Sequence, residues 1–324
     1  MKQLVLFLCL IASSAWAERK VVLITGCSSG IGYSAALEFA KHSDEYKVWA
    51  TMRDVSKSKL TDELSNLRVI PLDVTSDESV QSAVTRIIQE DGKIDIVINN
   101  AGYGVAGALE TVSIEEAKHL FDVNVWGVVR VLQTVLPHMR SRRSGYVINI
   151  SSTSGMRGIP CFEFYTGSKF AVEGITDSMR YSLSAYNISV TNVNAGPVKT
   201  SFTDRFGSAE LGGKGTRQLT TMGESSYLQK YTDGIIAGLN YRMQSKEAQT
   251  ADEVATLLVN LAHMKSRAKR ITDIPFNIGS NRDSQGILED VRKNPTGWGG
   301  VYSEILERVP ALPPKKTQTN KAEL

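Results

Sequence analysis

Tyr165 and Lys169 stand four residues apart in a stretch, Phe164 to Tyr186, whose pattern predicts a helix, so the two side chains share one face. That geometry suits proton transfer. A free tyrosine titrates near about pH 10, and a hydroxyl that serves as acid or base at neutral pH needs its phenolate stabilised by ~4 kcal/mol. A neighbouring ammonium supplies much of that. A Tyr-x-x-x-Lys spacing also arises by chance in a chain of this composition, so its meaning depends on what surrounds it.

The second chemical feature is the turn Gly26-Cys27-Ser28-Ser29-Gly30-Ile31-Gly32, between a first apolar strand and an Ala-rich helix expected from Ile31 to His42. Gly26 permits the tight turn, Gly30 lets the backbone approach a pyrophosphate, and Gly32 allows close packing of helix on strand. The helix N-terminus then offers N–H groups and positive dipole to phosphate. The same residues also spell G-x-S-x-G, the nucleophile elbow of an α/β-hydrolase, with Ser28 as nucleophile. An elbow needs earlier strands and a later acid and histidine. Here the motif ends the first strand, and His263 alone lies late enough to follow the usual hydrolase order.

Strand two ends at Thr51, where a fold choosing NAD carries Asp or Glu for the ribose 2′-hydroxyl. That carboxylate is missing, and Arg53 follows two residues later with a planar fork suited to the 2′-phosphate of NADP. Asp54 next door could instead neutralise it.

Around these groups, apolar runs alternate with amphipathic helical stretches: Val21 to Thr25, Val48 to Thr51, Val69 to Leu72, Ile94 to Ile98, Tyr146 to Ile150, Ile188 to Val193 and Ile271 to Phe276. Short unbroken apolar runs separated by helices predict a strand buried on both faces each time. The expected fold is α/β, a doubly wound (Rossmann) seven-stranded parallel sheet with helices on both faces, in a single domain spanning 18–280. Within it, residues 197–249 break the strand rhythm with Gly207, Gly212, Gly213 and Gly215. A helical pattern from about Ser225 to Met243 follows, and such insertions cover the ligand crevice. Residues 281–324 read as a C-terminal extension, disordered from about 310.

The 37 basic and 34 acidic residues are dispersed, with none of the basic blocks of a nucleic-acid binder, so no nucleic-acid partner is expected. Three cysteines and four histidines show no zinc spacing, which disfavours a zinc alcohol dehydrogenase and leaves no metal expected. Residues 1–17 read as a signal peptide, with Lys2, an apolar run from Leu4 to Ala12, and Ala15-Trp16-Ala17 as the cleavage pattern. An uncleaved anchor is the alternative, and would bring association with a membrane. The expected location is the secretory pathway, in the endoplasmic-reticulum lumen or membrane-attached. The final Lys321-Ala322-Glu323-Leu324 departs from the retention signal K-D-E-L only at Ala322. Of two glycosylation patterns, Asn187-Ile188-Ser189 is open to modification, whereas Asn149-Ile150-Ser151 falls in an expected buried strand.

Taken in order, the glycine turn after Thr25, Asn99-Asn100-Ala101-Gly102, Asn124, Ser151-Ser152, Tyr165 with Ser168-Lys169, and Gly196-Pro197 resemble the short-chain dehydrogenase/reductases from about Lys20 to Phe202. Within that family, Asp122-Val123-Asn124-Val125 and the run from Ser168 to Gly174 look like the oestradiol 17β-dehydrogenase and all-trans-retinol dehydrogenase branch. The resemblance implies Tyr165 as general acid/base, Lys169 tuning it and binding the nicotinamide ribose, Ser152 holding the substrate oxygen, and Asn124 ordering a water near Lys169. It further implies that NADP is held by Gly26, Ser28, Ser29, Gly30, Ile31, Gly32, Arg53, Asp73, Val74, Asn100, Ala101, Gly102, Tyr165, Lys169, Pro197, Val198 and Thr200. The substrate expected is a lipophilic alcohol or carbonyl, steroid- or retinoid-like, and the assembly a homodimer. A hydrolase, or an NADP-binding protein with little catalysis, remain the alternatives.

Overall fold

A computed structural model of the chain describes residues 19–60, 64–203, 224–246 and 248–293. The expected signal peptide, Gly207, Gly212, Gly213 and Gly215, and the tail beyond 293 lie outside these. Among the described residues no helix is long and apolar enough to cross a membrane.

The strands are β1 (Lys20–Ile24), β2 (Tyr46–Met52), β3 (Leu67–Pro71), β4 (Ile96–Asn99), β5 (Gly145–Ser152), β6 (Ile188–Ala195), β7 (Val198–Lys199), β8 (Gln249–Thr250) and β9 (Asn277–Gly279). Seven of them form one sheet in the order β3-β2-β1-β4-β5-β6-β9, every neighbouring pair parallel. Strands β7 and β8 pair separately. The helices are α1 (Gly30–Lys41), α2 (Asp77–Asp91), α3 (Ile114–Phe121), α4 (Gly127–Arg142), α5 (Glu163–Ser184), α6 (Glu224–Gln244), α7 (Ala251–Arg267) and α8 (Arg282–Lys293).

The alternation of side chains along each strand divides the core into two layers. Val22, Ile24, Val48, Ile98 and Ile148 pack with Ala36 and Phe39 of α1 and Leu258 of α7. Val21, Leu23, Trp49, Val97 and Val147 face the other way, onto Val84 of α2, Leu132 of α4 and Leu183 of α5. Both faces are covered, which accounts for strands that read as continuous apolar runs.

One strand lies later than the sequence predicts. Ile271–Asp273, expected to open the seventh strand, is a tight helical turn, and the strand begins at Asn277. Asp273 closes that turn, its carboxylate accepting from the Arg270 amide (3.0 Å) while its own amide donates to the Arg270 carbonyl (3.0 Å). Pro275 then has no N–H to offer a neighbour. The β-branched residues at 271 and 272 suggested a strand; local hydrogen bonding overrode them.

A polar seam runs through the second layer. Asn99, Asn149 and Asn192 are aligned in register across β4, β5 and β6, all buried. Asn99 donates to the Asn149 side chain (2.9 Å), and Asn149 donates to Thr176 Oγ1 (3.0 Å) and to Asn192 Oδ1 (3.3 Å). Asn192 and Asn194 each donate to the Glu173 carboxylate at 2.6 Å. Buried polar groups are costly unless satisfied. Asn149→Leu strands several partners at once and is expected to cost about 1–3 kcal/mol for each left unpaired, read as a lower urea midpoint at unchanged m-value.

Candidate active site

Strand order reverses between β1 and β4, and a cleft of about 550 Å³ opens at the carboxyl edge beside that switch. Gly26, Ser28, Ser29, Gly30 and Ile31 line one end, with Arg53, Asp73, Val74, Asn100, Ala101 and Gly102; Pro197, Val198 and Thr200 face them, and Ser152, Tyr165 and Lys169 line the same cleft. Of the expected site residues, only Gly32 and Asn124 do not line it.

The glycine turn is shaped by contact. A Cβ on Gly26, whose φ is +74°, would stand 2.8 Å from Ala101 Cα, and one on Gly32 would strike Asn100 Nδ2 and lie 2.5 Å from the Gly26 carbonyl oxygen. Gly32 is therefore a packing residue behind the turn. Asn100 staples the turn in place, its side chain donating to the carbonyls of Thr25 (2.9 Å) and Gly26 (3.1 Å), while Thr25 Oγ1 accepts from the amides of Asn100 (3.0 Å) and Ala101 (3.1 Å).

The start of α1 differs from those of α2 and α3. Helices α2 and α3 are capped by the side chains of Ser76 and Ser113 and carry acidic residues in their first turns. At α1, Ser29 makes no capping hydrogen bond and the first turn holds no acid. Its N–H groups and dipole face the cleft uncompensated, which fits an anionic pyrophosphate.

At the end of the cleft beyond β2, Thr51 is buried and donates inward to the Ile24 carbonyl (3.0 Å), and β2 runs one residue further than expected, to Met52. The side chain that borders the cleft beyond the strand is Arg53. Asp54 is engaged by Ser56 (2.6 Å) and Lys57 (3.2 Å), so it does not neutralise Arg53. Burial alone would raise the Asp73 carboxyl, but the Thr75 amide (2.9 Å) and hydroxyl (2.7 Å), with the fields of Arg53 and His119, hold it below its ordinary value.

At the other end, the Ser152 hydroxyl lies close enough to the Tyr165 hydroxyl to lower its pKa. Burial pushes Tyr165 up to about 12, and the Ser152 contact partly opposes this. Of the adjacent serines it is Ser152 that meets Tyr165; the Ser151 hydroxyl lies beside Glu173, near enough to lower that carboxyl but outside good hydrogen-bond geometry. Lys169 donates to the Ile150 carbonyl (2.9 Å), and its Nζ stands 5.7 Å from the centre of the Tyr165 ring. Burial lowers it to about 8, against the opposing field of Glu173.

Asn124 sits in a π-turn, Asp122–Trp126, between α3 and α4. Arg130 fastens that turn, donating to the Asp122 carboxylate (2.7 Å) and carbonyl (3.3 Å). The extra residue turns Asn124 inward, where it exchanges hydrogen bonds with the Tyr103 backbone (2.9 and 3.0 Å) and donates to Ser168 Oγ (3.1 Å). A Cβ on Gly102 would lie 3.1 Å from Asn124 Oδ1 and 3.8 Å from Lys169 Nζ, so the two side chains flank one space.

Several wall residues escaped the sequence reading. Ile159, Phe162, Phe202, Leu239, Met243 and Ile287 form an apolar wall, interrupted by His119, Arg157 and Arg242. Nothing in the sequence separates an apolar residue facing a cleft from one facing a core. The hydrolase constellation does not assemble: Ser28 lines the cleft, but His263 does not, and stands instead beside Glu45.

A doubly wound sheet with a glycine turn at its switch point defines the nucleotide-binding α/β class. The chain belongs to the short-chain dehydrogenase family, whose sequence model matches residues 20–211. Human retinol dehydrogenase 8 is 40% identical over 193 residues, 57% of this chain and 61% of that protein. The chain thus spans less than two thirds of that relative. Rat estradiol 17-beta-dehydrogenase 1 is 34% identical over 262 residues, 78% of this chain and 73% of that protein. The solved structure of ElxO with NADP bound superposes with a TM-score of 0.62 at 26% identity, covering 84% of this chain and 99% of that one.

Lys169 makes stability depend on pH. Between about 8, its folded value, and its ordinary 10.5, the unfolded chain holds a proton that the folded chain has released, so this group's contribution to stability rises with pH. Lys169→Met is expected to remove that rise, a difference of about 2 kcal/mol accumulated from pH 8 to 10 in urea unfolding of the two proteins.

Proposed function

We propose that the protein is an NADP(H)-dependent alcohol dehydrogenase or carbonyl reductase acting on a lipophilic, steroid- or retinoid-like substrate. The observation that carries this reading is the hydroxyl pair Ser152–Tyr165 set against the apolar wall of Phe162, Phe202 and Leu239. The bound nicotinamide supplies the hydride acceptor or donor.

The chain's own residues do the rest. Ser152 holds the substrate oxygen, and Tyr165 exchanges a proton with it. Protonated Tyr165 donates to a carbonyl oxygen in reduction, and its phenolate accepts from an alcohol in oxidation, so the one residue serves both directions. Lys169 binds the ribose and brings positive charge to the tyrosine, while Asn124 keeps Tyr103 and Ser168 in place around it. Arg53 carries the preference for the 2′-phosphate, since no competing carboxylate occupies the end of β2. The family resemblance supports a homodimer. The sequence of residues 1–17 supports a location in the secretory pathway.

Turnover is read at the reduced-nicotinamide absorbance band with retinoids, steroids and medium-chain aldehydes. Tyr165→Phe is expected to lower kcat/KM by about 10²–10⁴-fold with NADPH binding retained. Absence of turnover in both proteins would leave an NADP-binding protein without this chemistry. Arg53→Ala is expected to weaken NADPH about tenfold or more while leaving NADH nearly unchanged, measured by fluorescence titration.

A further inference from the structure

At the amino edge of the sheet, away from the cleft, three side chains from separate elements converge. His42 caps the C-terminal end of α1, Glu45 directly precedes β2, and His263 projects from α7. The turn between α1 and β2 is closed by the amides of Glu45 (3.0 Å) and Tyr46 (2.9 Å) donating to the His42 carbonyl, which places His42 and Glu45 side by side. None of the three lines the cleft.

Their donor atoms lie within 4.8 Å of one another. Glu45 holds the centre: one carboxylate oxygen is 3.2 Å from His263 Nε2 and the other 3.9 Å from His42 Nδ1. The close nitrogen of His263 is buried and forms no hydrogen bond, so it approaches the carboxylate without directing a proton at it. Two ligands of one cation meet in that way. The imidazole rings stand nearly perpendicular, 85° apart at 5.4 Å, over a floor made by the Tyr46 ring. The Tyr46 hydroxyl, also buried, has no hydrogen-bond partner either.

We propose that His42, Glu45 and His263 form a binding site for a divalent transition-metal cation of the Zn²⁺ class. Two imidazoles and one carboxylate make a donor set suited to such ions and poorly suited to Mg²⁺ or Ca²⁺, which take oxygen ligands. Tetrahedral bonds of about 2.0–2.1 Å bring donors to within about 3.4 Å of one another, which rotation of the partly exposed His42 and Glu45 side chains achieves. Three protein ligands leave a fourth position for water. The ion braces α7 against the α1–β2 turn, and so acts on stability rather than on the reaction.

The test uses the full chain, untagged and stripped with a chelator, titrated calorimetrically with ZnCl₂ and separately with MgCl₂. The site requires one Zn²⁺ per chain, no Mg²⁺ binding, and a melting temperature that rises with Zn²⁺. His263→Ala and Glu45→Gln are each expected to weaken Zn²⁺ at least about tenfold, whereas His138→Ala leaves it unchanged. His42→Ala, at a helix end, repeats the loss without disturbing the packing of α7, and circular dichroism of the metal-free proteins verifies that each is folded. Zn²⁺ binding that is absent in the wild type, or that survives all three ligand substitutions, overturns the proposal.

Discussion

The structure depends on keeping one buried ammonium in place. Lys169 is buried on α5, and removing a cation from water is expensive unless other groups replace the lost hydration. The Ile150 carbonyl accepts one of its hydrogens, and Glu173, one helical turn further along, offsets its charge. Burial raises the Glu173 carboxyl, and the side-chain amides of Asn192 and Asn194 act against that rise. Those asparagines are held by the strands they belong to, and Asn149 and Asn99 continue the chain of hydrogen bonds across the sheet. The position of one cleft residue is thus backed by three strands and a helix.

The same economy governs the other end of the cleft. A helix N-terminus left uncapped is a local defect in stability, since caps contribute about 1 kcal/mol. At α1 the defect faces the cleft, whereas α2 and α3 have serine caps. The π-turn at Asp122–Trp126 is a similar irregularity, held by Arg130 and bringing Asn124 to the space beside Lys169. Local structure is least regular where the cleft residues are placed, a pattern common to functional sites.

The two edges of the sheet carry different chemistry for a geometric reason. At the carboxyl edge the strands end beside helix N-termini, so backbone donors and short loops converge on a crevice. At the amino edge helix C-termini meet strand starts, and long side chains such as His42, Glu45 and His263 meet across the helix layer. Neither arrangement follows from the residues taken singly.

The sequence by itself determined the parallel sheet, its two covered faces, the glycine turn and the ordered motifs of the family. Apolar periodicity, glycine and short-range spacing are local properties, and six of the seven strands followed from them. Tertiary structure decided the rest. It moved the last strand to Asn277, because the Arg270–Asp273 turn outcompeted β-propensity. It set Glu173 beneath Lys169, built the apolar wall from distant segments, and placed His263 beside Glu45 instead of Ser28. Those outcomes depend on which surfaces meet once the chain has folded, and contact between distant segments leaves no periodic trace along the chain.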